Sequence, residues 1–237
     1  MNRLLYTVAA MALVGSIATV PAEARNANMP ASGSSQAQAT AQQAPNADQL
    51  VRDATRTVQE MKRDQKFAGY MKKAKGIFIV PTMVKGSLIV GGAGGQGVLL
   101  AHKNGQWSEP AFFSLGSVSF GAQAGGAAGP VAFLLMSDKA LNDFVESNNF
   151  SLNANAGLTI VTYSAHGQAD VGKGDVIVWS NMSGLQGSLN VSATDIVRNG
   201  NEDHNYYGRD ISTKQIIAGQ ATAAKPEANK LKSELPS

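Results

Sequence analysis

The chain has 237 residues, a formal net charge of +3 and no cysteine. That length supports one domain with a substantial core, and the charge is too small to mark a nucleic-acid binder. The missing thiols exclude disulfides, Cys-ligated metals and a cysteine nucleophile.

Met1-Asn2-Arg3 opens an apolar run, Leu4 to Val20, that ends at Pro21-Ala22-Glu23-Ala24. A basic start, an apolar stretch and an A-x-A end read as a secretory signal peptide over 1–24. The alternative is a membrane anchor. The run sits at the lower edge of the roughly 17–25 residues a spanning helix needs, and no basic stop-transfer patch follows. The protein is therefore expected to be exported and periplasmic, and peripheral where it meets a membrane. Residues 25–45 read as a disordered linker and 221–237 as a disordered polar tail, which leaves 46–220 as the folded domain.

Asn46 to about Lys73 reads as one amphipathic helix, capped by Asn46 or Asp48 and ended or kinked by Gly69. Leu50, Val51, Ala54, Val58 and Met61 give the apolar stripe. Strand candidates follow: Gly76–Val80 stopped by Pro81, then Ser87–Val90, Gly97–Ala101, Ala111–Leu115 and Ser117–Gly121. Asn104-Gly105 is a turn signal. Pro130–Met136 is a buried run, and Ser137 caps a short helix from Asp138 to Ser147. Phe150, Leu152, Ala154 and Ala156 alternate with polar residues, as in a half-buried strand. Gly157–Ser164, Asp175–Ser180 and Leu185–Ser192 extend the series, with a turn at Asn181–Gly184. Ser212-x-x-Gln215 is a capping box for a last short helix that stops at Gly219. This order predicts an α+β fold. Its sheet is mostly antiparallel, glycine-rich and curved, or a barrel-like sandwich, with an N-terminal amphipathic helix and short helices.

Gly92 to Gly97 matches G-x-G-x-x-G. A pyrophosphate cradle needs a helix directly after it, and Val98 to Gly105 is too short and too turn-bounded to be one. Glycine here is expected to serve sheet bending or close packing, so that a bulky residue at Gly94 or Gly97 would harm folding. His102, His166 and His204 are scattered. Glu202-Asp203-His204 reads as a solvated loop rather than a metal site, and no nucleophile or acid–base constellation has a supporting context. No cofactor, metal or catalytic residue is expected. The basic segment is the functional lead: Arg52, Arg56, Lys62, Arg63, Lys66, Lys72, Lys73 and Lys75 outnumber Asp53, Glu60 and Asp64. An amphipathic basic helix can lie on an anionic lipid surface. The alternative is that its apolar stripe packs on the sheet and its charges are a solvated face.

Several motifs resemble one family. Ala74-Lys75-Gly76-Ile77-Phe78-Ile79-Val80-Pro81 with Val84-Lys85-Gly86, the glycine segment Gly91 to Leu100, and Trp107-Ser108-Glu109-Pro110-Ala111-Phe112-Phe113 occur in order. Gly121-Ala122-Gln123-Ala124-Gly125 and Asn205-Tyr206-Tyr207-Gly208 follow. Together they resemble the SYLF domain, also called the Ysc84 or DUF500 family, over about Leu50 to Gly219. The resemblance implies a non-enzymatic, lipid-binding protein. Eukaryotic members bind phosphoinositides and membranes through an N-terminal basic region, and some bind actin. The export signal sets this chain apart as a bacterial exported form, for which actin is not an expected partner.

The expected partner is an anionic phospholipid surface. Its contacts would be Lys62, Arg63, Lys66, Phe67, Tyr70, Met71, Lys72, Lys73, Lys75 and Lys85, with Met61, Phe67, Tyr70 and Met71 inserting or covering lipid. The alternative function is an envelope scaffolding module that binds an acidic protein or polysaccharide.

Overall fold

In the computed structural model of the chain, the run Ile77-Phe78-Ile79-Val80 feeds two cores. Ile77 and Ile79 enter one, Phe78 and Val80 the other. Successive strand residues point to opposite faces, so a strand covered on both faces is apolar throughout. The structure describes residues 45–86, 91–119, 127–152, 157–163, 174–181, 194–221 and 225–237. Outside them lie the signal peptide, nearly all of the linker, His166, and the strand candidates Ser87–Val90 and Leu185–Ser192. So do the whole Gly121–Gly125 motif, the Ala154 and Ala156 part of the alternating strand and the turn residues after Asn181.

Two helices come first, α1 (Ala47–Met61) and α2 (Gln65–Met71). Strands β1 (Gly76–Gly86), β2 (Gly91–Lys103), β3 (Gln106–Trp107), β4 (Ala111–Ser119) and β5 (Ala127–Leu135) follow. Helix α3 (Asp138–Glu146) precedes β6 (Asn149–Leu152), β7 (Ile160–Thr162), β8 (Val176–Ser180) and β9 (Thr194–Arg198). Then come α4 (Gly200–Tyr207), α5 (Thr213–Gln215), which continues as a π-helical turn Ile216–Gln220, and α6 (Pro226–Glu234).

The strands form one strongly curled sheet in the order β6-β9-β4-β2-β1-β5-β8-β7, with β3 paired to β2. Every described pairing is antiparallel except β7 with β8. The fold is α+β. Helices α1, α2, α4 and α6 supply the core on one face, through side chains such as Val58, Phe67, Tyr206 and Leu231. Helix α3 and the α5 region cover the other, through Leu141, Phe144, Ile216 and Ile217.

Four local readings change. The first helix is two helices, because Asp64 turns its carboxylate back to accept from Phe67 N at 3.0 Å and starts α2 afresh. Gly69 lies inside α2 rather than ending it. Pro81 does not stop β1. It sits in a bulge, where Val80 and Pro81 together face Gly97 of β2, which is where a residue without an N–H is tolerated in a sheet. Gly91 to Gly97 is not a junction before a strand but part of β2, paired to β1 and β4.

A further change is at the C-terminus. Residues 226–234, expected in a disordered tail, form α6, with Ala228, Leu231 and Leu235 buried. Their spacing gives the short segment one apolar face to dock.

Other local signals hold. Asn46, Ser137 and Ser212 cap their helices, the last through a reciprocal box with Gln215. Asn104 and Gly105 have φ of 51° and 76°, the paired positive values of a tight hairpin turn.

Candidate functional site

Helices α1 and α2 meet at an elbow, Lys62-Arg63-Asp64, and the basic residues run from this elbow along α2 to Lys73 just past its end. Its shape is fixed from the inside. Phe67 and Met71 are 0% and 1% exposed. The Phe67 ring lies 4.9 Å from Tyr163 and 6.1 Å from Trp179. Asp64 Oδ2 accepts from the Tyr163 hydroxyl at 2.6 Å, so one carboxylate caps α2 and ties it to the end of β7. That hydrogen bond holds the Asp64 carboxyl below the usual carboxylate range. Burial and the same carboxylate push the Tyr163 phenol up to about 12.

The outer face of the elbow is cationic. Arg63, Lys66, Lys72 and Lys73 are exposed, and among the described residues none of the four is within ion-pairing distance of a carboxylate. Gly69 is exposed among them with open space around its Cα. Tyr70 is half-buried and edge-on to Tyr163 at 6.3 Å.

The remaining expected contacts are placed elsewhere. Met61, Phe67 and Met71 belong to the core and do not face outward, because the apolar stripe is the one that docks on the sheet. Lys62 is paired with Glu234 at 2.9 Å, and Lys75 lies 3.8 Å from Asp138. Lys85 is near the far end of β1, a strand that starts only at Gly76, after the elbow and α2.

A second cluster was not expected from the sequence. Two of the ordered motifs meet α6. Trp107 Nε1 donates to Pro236 O at 2.8 Å, and Glu109 pairs with Lys232. Tyr207 OH donates to Pro110 O at 2.6 Å. Lys225 sits 4.0 Å from the Tyr206 ring centroid and 2.7 Å from Asp48. The available signal for this cluster was the apolar spacing of Ala228, Leu231 and Leu235 after Pro226, a residue favoured at the first turn of a helix.

Asp203 is a further correction. It is in α4, not a solvated loop, and is 0% exposed. Its Oδ1 accepts from Phe112 N at 3.0 Å and its Oδ2 is 2.6 Å from Arg198 Nη2. Burial pushes its carboxyl up to about 6 against the opposing pull of the Phe112 N–H and Arg198.

A cleft of about 530 Å³ opens nearby, lined by Arg198, Asn201, His204, Asp210, Ser212 and Gln215 among others. Its polar groups already bond one another: His204 to Asp210 at 2.7 Å, Ser212 to Gln215, and Arg198 to Asp203 and Ile211 O. They do not converge on a reacting position. No group of three or more His, Asp or Glu able to hold a metal occurs among the described residues. Nor is any described helix long and apolar enough to cross a membrane.

The profile of the family described as "Ysc84: Las17-binding protein actin regulator" matches residues 116–237. The chain belongs to the Ysc84 family. The match takes in α6, so the last helix is part of the Ysc84 unit.

The chain is 26% identical to Protein YSC84 of Saccharomyces cerevisiae over 181 residues, 73% of this chain and 38% of that protein. It is 26% identical to LAS seventeen-binding protein 3 of the same yeast over 156 residues, 63% of this chain and 34% of the relative. It is 23% identical to SH3 domain-containing YSC84-like protein 1 of Bos taurus over 159 residues, 65% of this chain and 46% of the relative. The chain therefore spans less than half the length of these Ysc84 relatives. The elbow precedes the residues matched by the family profile, so its role is argued from its own geometry.

Proposed function

We propose that this Ysc84-family chain is a non-enzymatic protein that docks on anionic phospholipid surfaces through the outer face of the α1–α2 elbow. One observation carries the reading: Arg63, Lys66, Lys72 and Lys73 are exposed, with no carboxylate of the described residues within ion-pairing distance, on a short piece of chain anchored through Asp64 and Phe67. Side chains of this charge near an anionic bilayer each contribute on the order of 1 kcal/mol. The mode is electrostatic docking without insertion, because Phe67 and Met71 are committed to the core. Tyr70 is the aromatic residue able to reach the interfacial layer.

The N-terminal segment supports export, with a periplasmic location at a membrane face. Flotation of the full chain with vesicles tests the proposal. Binding to phosphatidylglycerol-containing vesicles is expected at low salt and should fall steeply as salt rises past the range where the Debye length is about 10 Å. Equal binding to neutral vesicles, or none to anionic ones, would contradict it.

A second reading, a scaffolding module for an acidic protein or polysaccharide, draws on the same cations. The family's description and a yeast relative's name speak of binding another protein. Recovery of an acidic partner by a chain that ignores anionic vesicles would favour it.

A further inference from the structure

Helix α6 is a nine-residue helix docked by a narrow apolar face and a polar rim. Lys225, its N-cap residue, makes no side-chain cap bond. Only Ala228, Leu231 and, just beyond it, Leu235 are buried. An isolated helix shorter than about 12–15 residues is marginal in water, so α6 is helical because it is docked. The docking rim is ionic: Glu234 to Lys62, Asp48 to Lys225 and Glu109 to Lys232. Gln59 adds a bond to Glu234 at 3.0 Å, and Trp107 holds Pro236 O.

We propose that α6 is a releasable latch, opened by an anionic lipid surface, and that the released segment becomes a second contact with that surface. The proposal rests on the reading that the elbow meets anionic lipid. In the docked state Lys62, Lys225 and Lys232 each face a carboxylate of the same chain. Headgroups offer all three ammonium groups a competing anion at once. Lys62 adjoins Arg63, so the exchange begins where the elbow already lies against the surface. Release would add Lys62 to Arg63, Lys66, Lys72 and Lys73 and would free a segment carrying Lys225, Lys230 and Lys232 against Glu227 and Glu234, with Leu231 and Leu235 as its apolar side. Cations interleaved with leucines suit the headgroup boundary, where such a segment can fold with its apolar side inward. The device is an order–disorder switch of one short element with two alternative sets of partners.

The chain has no native cysteine, so Arg56→Cys and Ser233→Cys place two spin labels on α1 and α6 without competing thiols. Pulsed dipolar spectroscopy of the labelled full chain should give one short, narrow distance in buffer and with phosphatidylcholine vesicles. On phosphatidylglycerol vesicles the distribution should broaden and lengthen by more than 10 Å, the scale of a displaced helix. A chain that binds the anionic vesicles with its solution distance overturns the latch alone. A labelled chain that does not bind them overturns the lipid reading and the latch together. Independently, Glu109→Gln combined with Glu234→Gln loosens the rim and should tighten vesicle binding several-fold. Unchanged or weaker binding by that variant contradicts the latch.

Discussion

A β-carbon at Gly97 would stand 2.6 Å from Cε2 of Phe78 and 2.5 Å from Ile79 O. Gly97 faces the Val80–Pro81 bulge of β1, and Phe78 packs on Phe133, Phe113 and Phe144 at centroid distances of 5.7, 6.0 and 5.2 Å. The glycine is therefore the space that the central aromatic cluster occupies. Gly95 is alike, with a β-carbon 2.6 Å from Thr82 O and from Val80 Cγ1, whereas Gly94 would meet only Leu115 O at 3.4 Å. Gly97→Ala and Gly95→Ala should each cost about 1–3 kcal/mol through overpacking in urea denaturation, and Gly94→Ala far less. Equal effects at all three positions would contradict this. The sequence expectation named Gly94 with Gly97, and the structure moves that role to Gly95.

Asp64 should control the elbow. Asp64→Ala removes the α2 cap and leaves the Tyr163 hydroxyl without its partner, for a loss of about 2 kcal/mol at pH 7. The folded-state carboxyl lies below its ordinary value of 3.8. Its contribution is then present above that pH and disappears as pH falls through the folded-state value. The difference between wild type and variant should shrink when denaturation is repeated at strongly acid pH. A difference independent of pH would rule out the ionised carboxylate as the source.

Asp203 should behave in the opposite sense. Its folded-state carboxyl is raised from 3.8 to about 6, so the folded protein holds the proton more tightly than the unfolded chain. Between these values stability rises as pH falls, and above about 6 this gain is absent. Relative to the non-titrating Asp203→Asn, wild type should gain about 2 kcal/mol on going from pH 7 to pH 4.5. Parallel stability profiles for the two proteins would show that Arg198 keeps the carboxylate ionised after all.

What the sequence made legible was local. The caps at Asn46, Ser137 and Ser212 and the Asn104-Gly105 turn are set by neighbours within three or four residues, and they were readable for that reason. The missed features depend on distant partners. Pro81 passes through the sheet because it falls in the bulge opposite Gly97, where a residue without an N–H is tolerated. Asp203 is buried because it bonds Phe112, 91 positions away. Helix α6 forms because Trp107, Glu109 and Lys62 wait for it. The basic residues of the elbow were legible as a cluster. Which of them are free was not, since Glu234 and Asp138 come from the other end of the chain and from the opposite face.

The central claim is that the elbow binds anionic lipid by charge. The decisive measurement is flotation of the full chain, wild type against Arg63→Glu, Lys66→Glu, Lys72→Glu and Lys73→Glu combined, on phosphatidylglycerol-containing vesicles at low salt. All four side chains are exposed, and among the described residues none is within ion-pairing distance of a carboxylate, so the variant should keep its fold, which its thermal unfolding checks. Losing four contacts of about 1 kcal/mol each predicts a fall in affinity of at least roughly a thousand-fold, to which the repulsion of the new carboxylates adds. A folded variant that floats with the vesicles as wild type does would contradict the account.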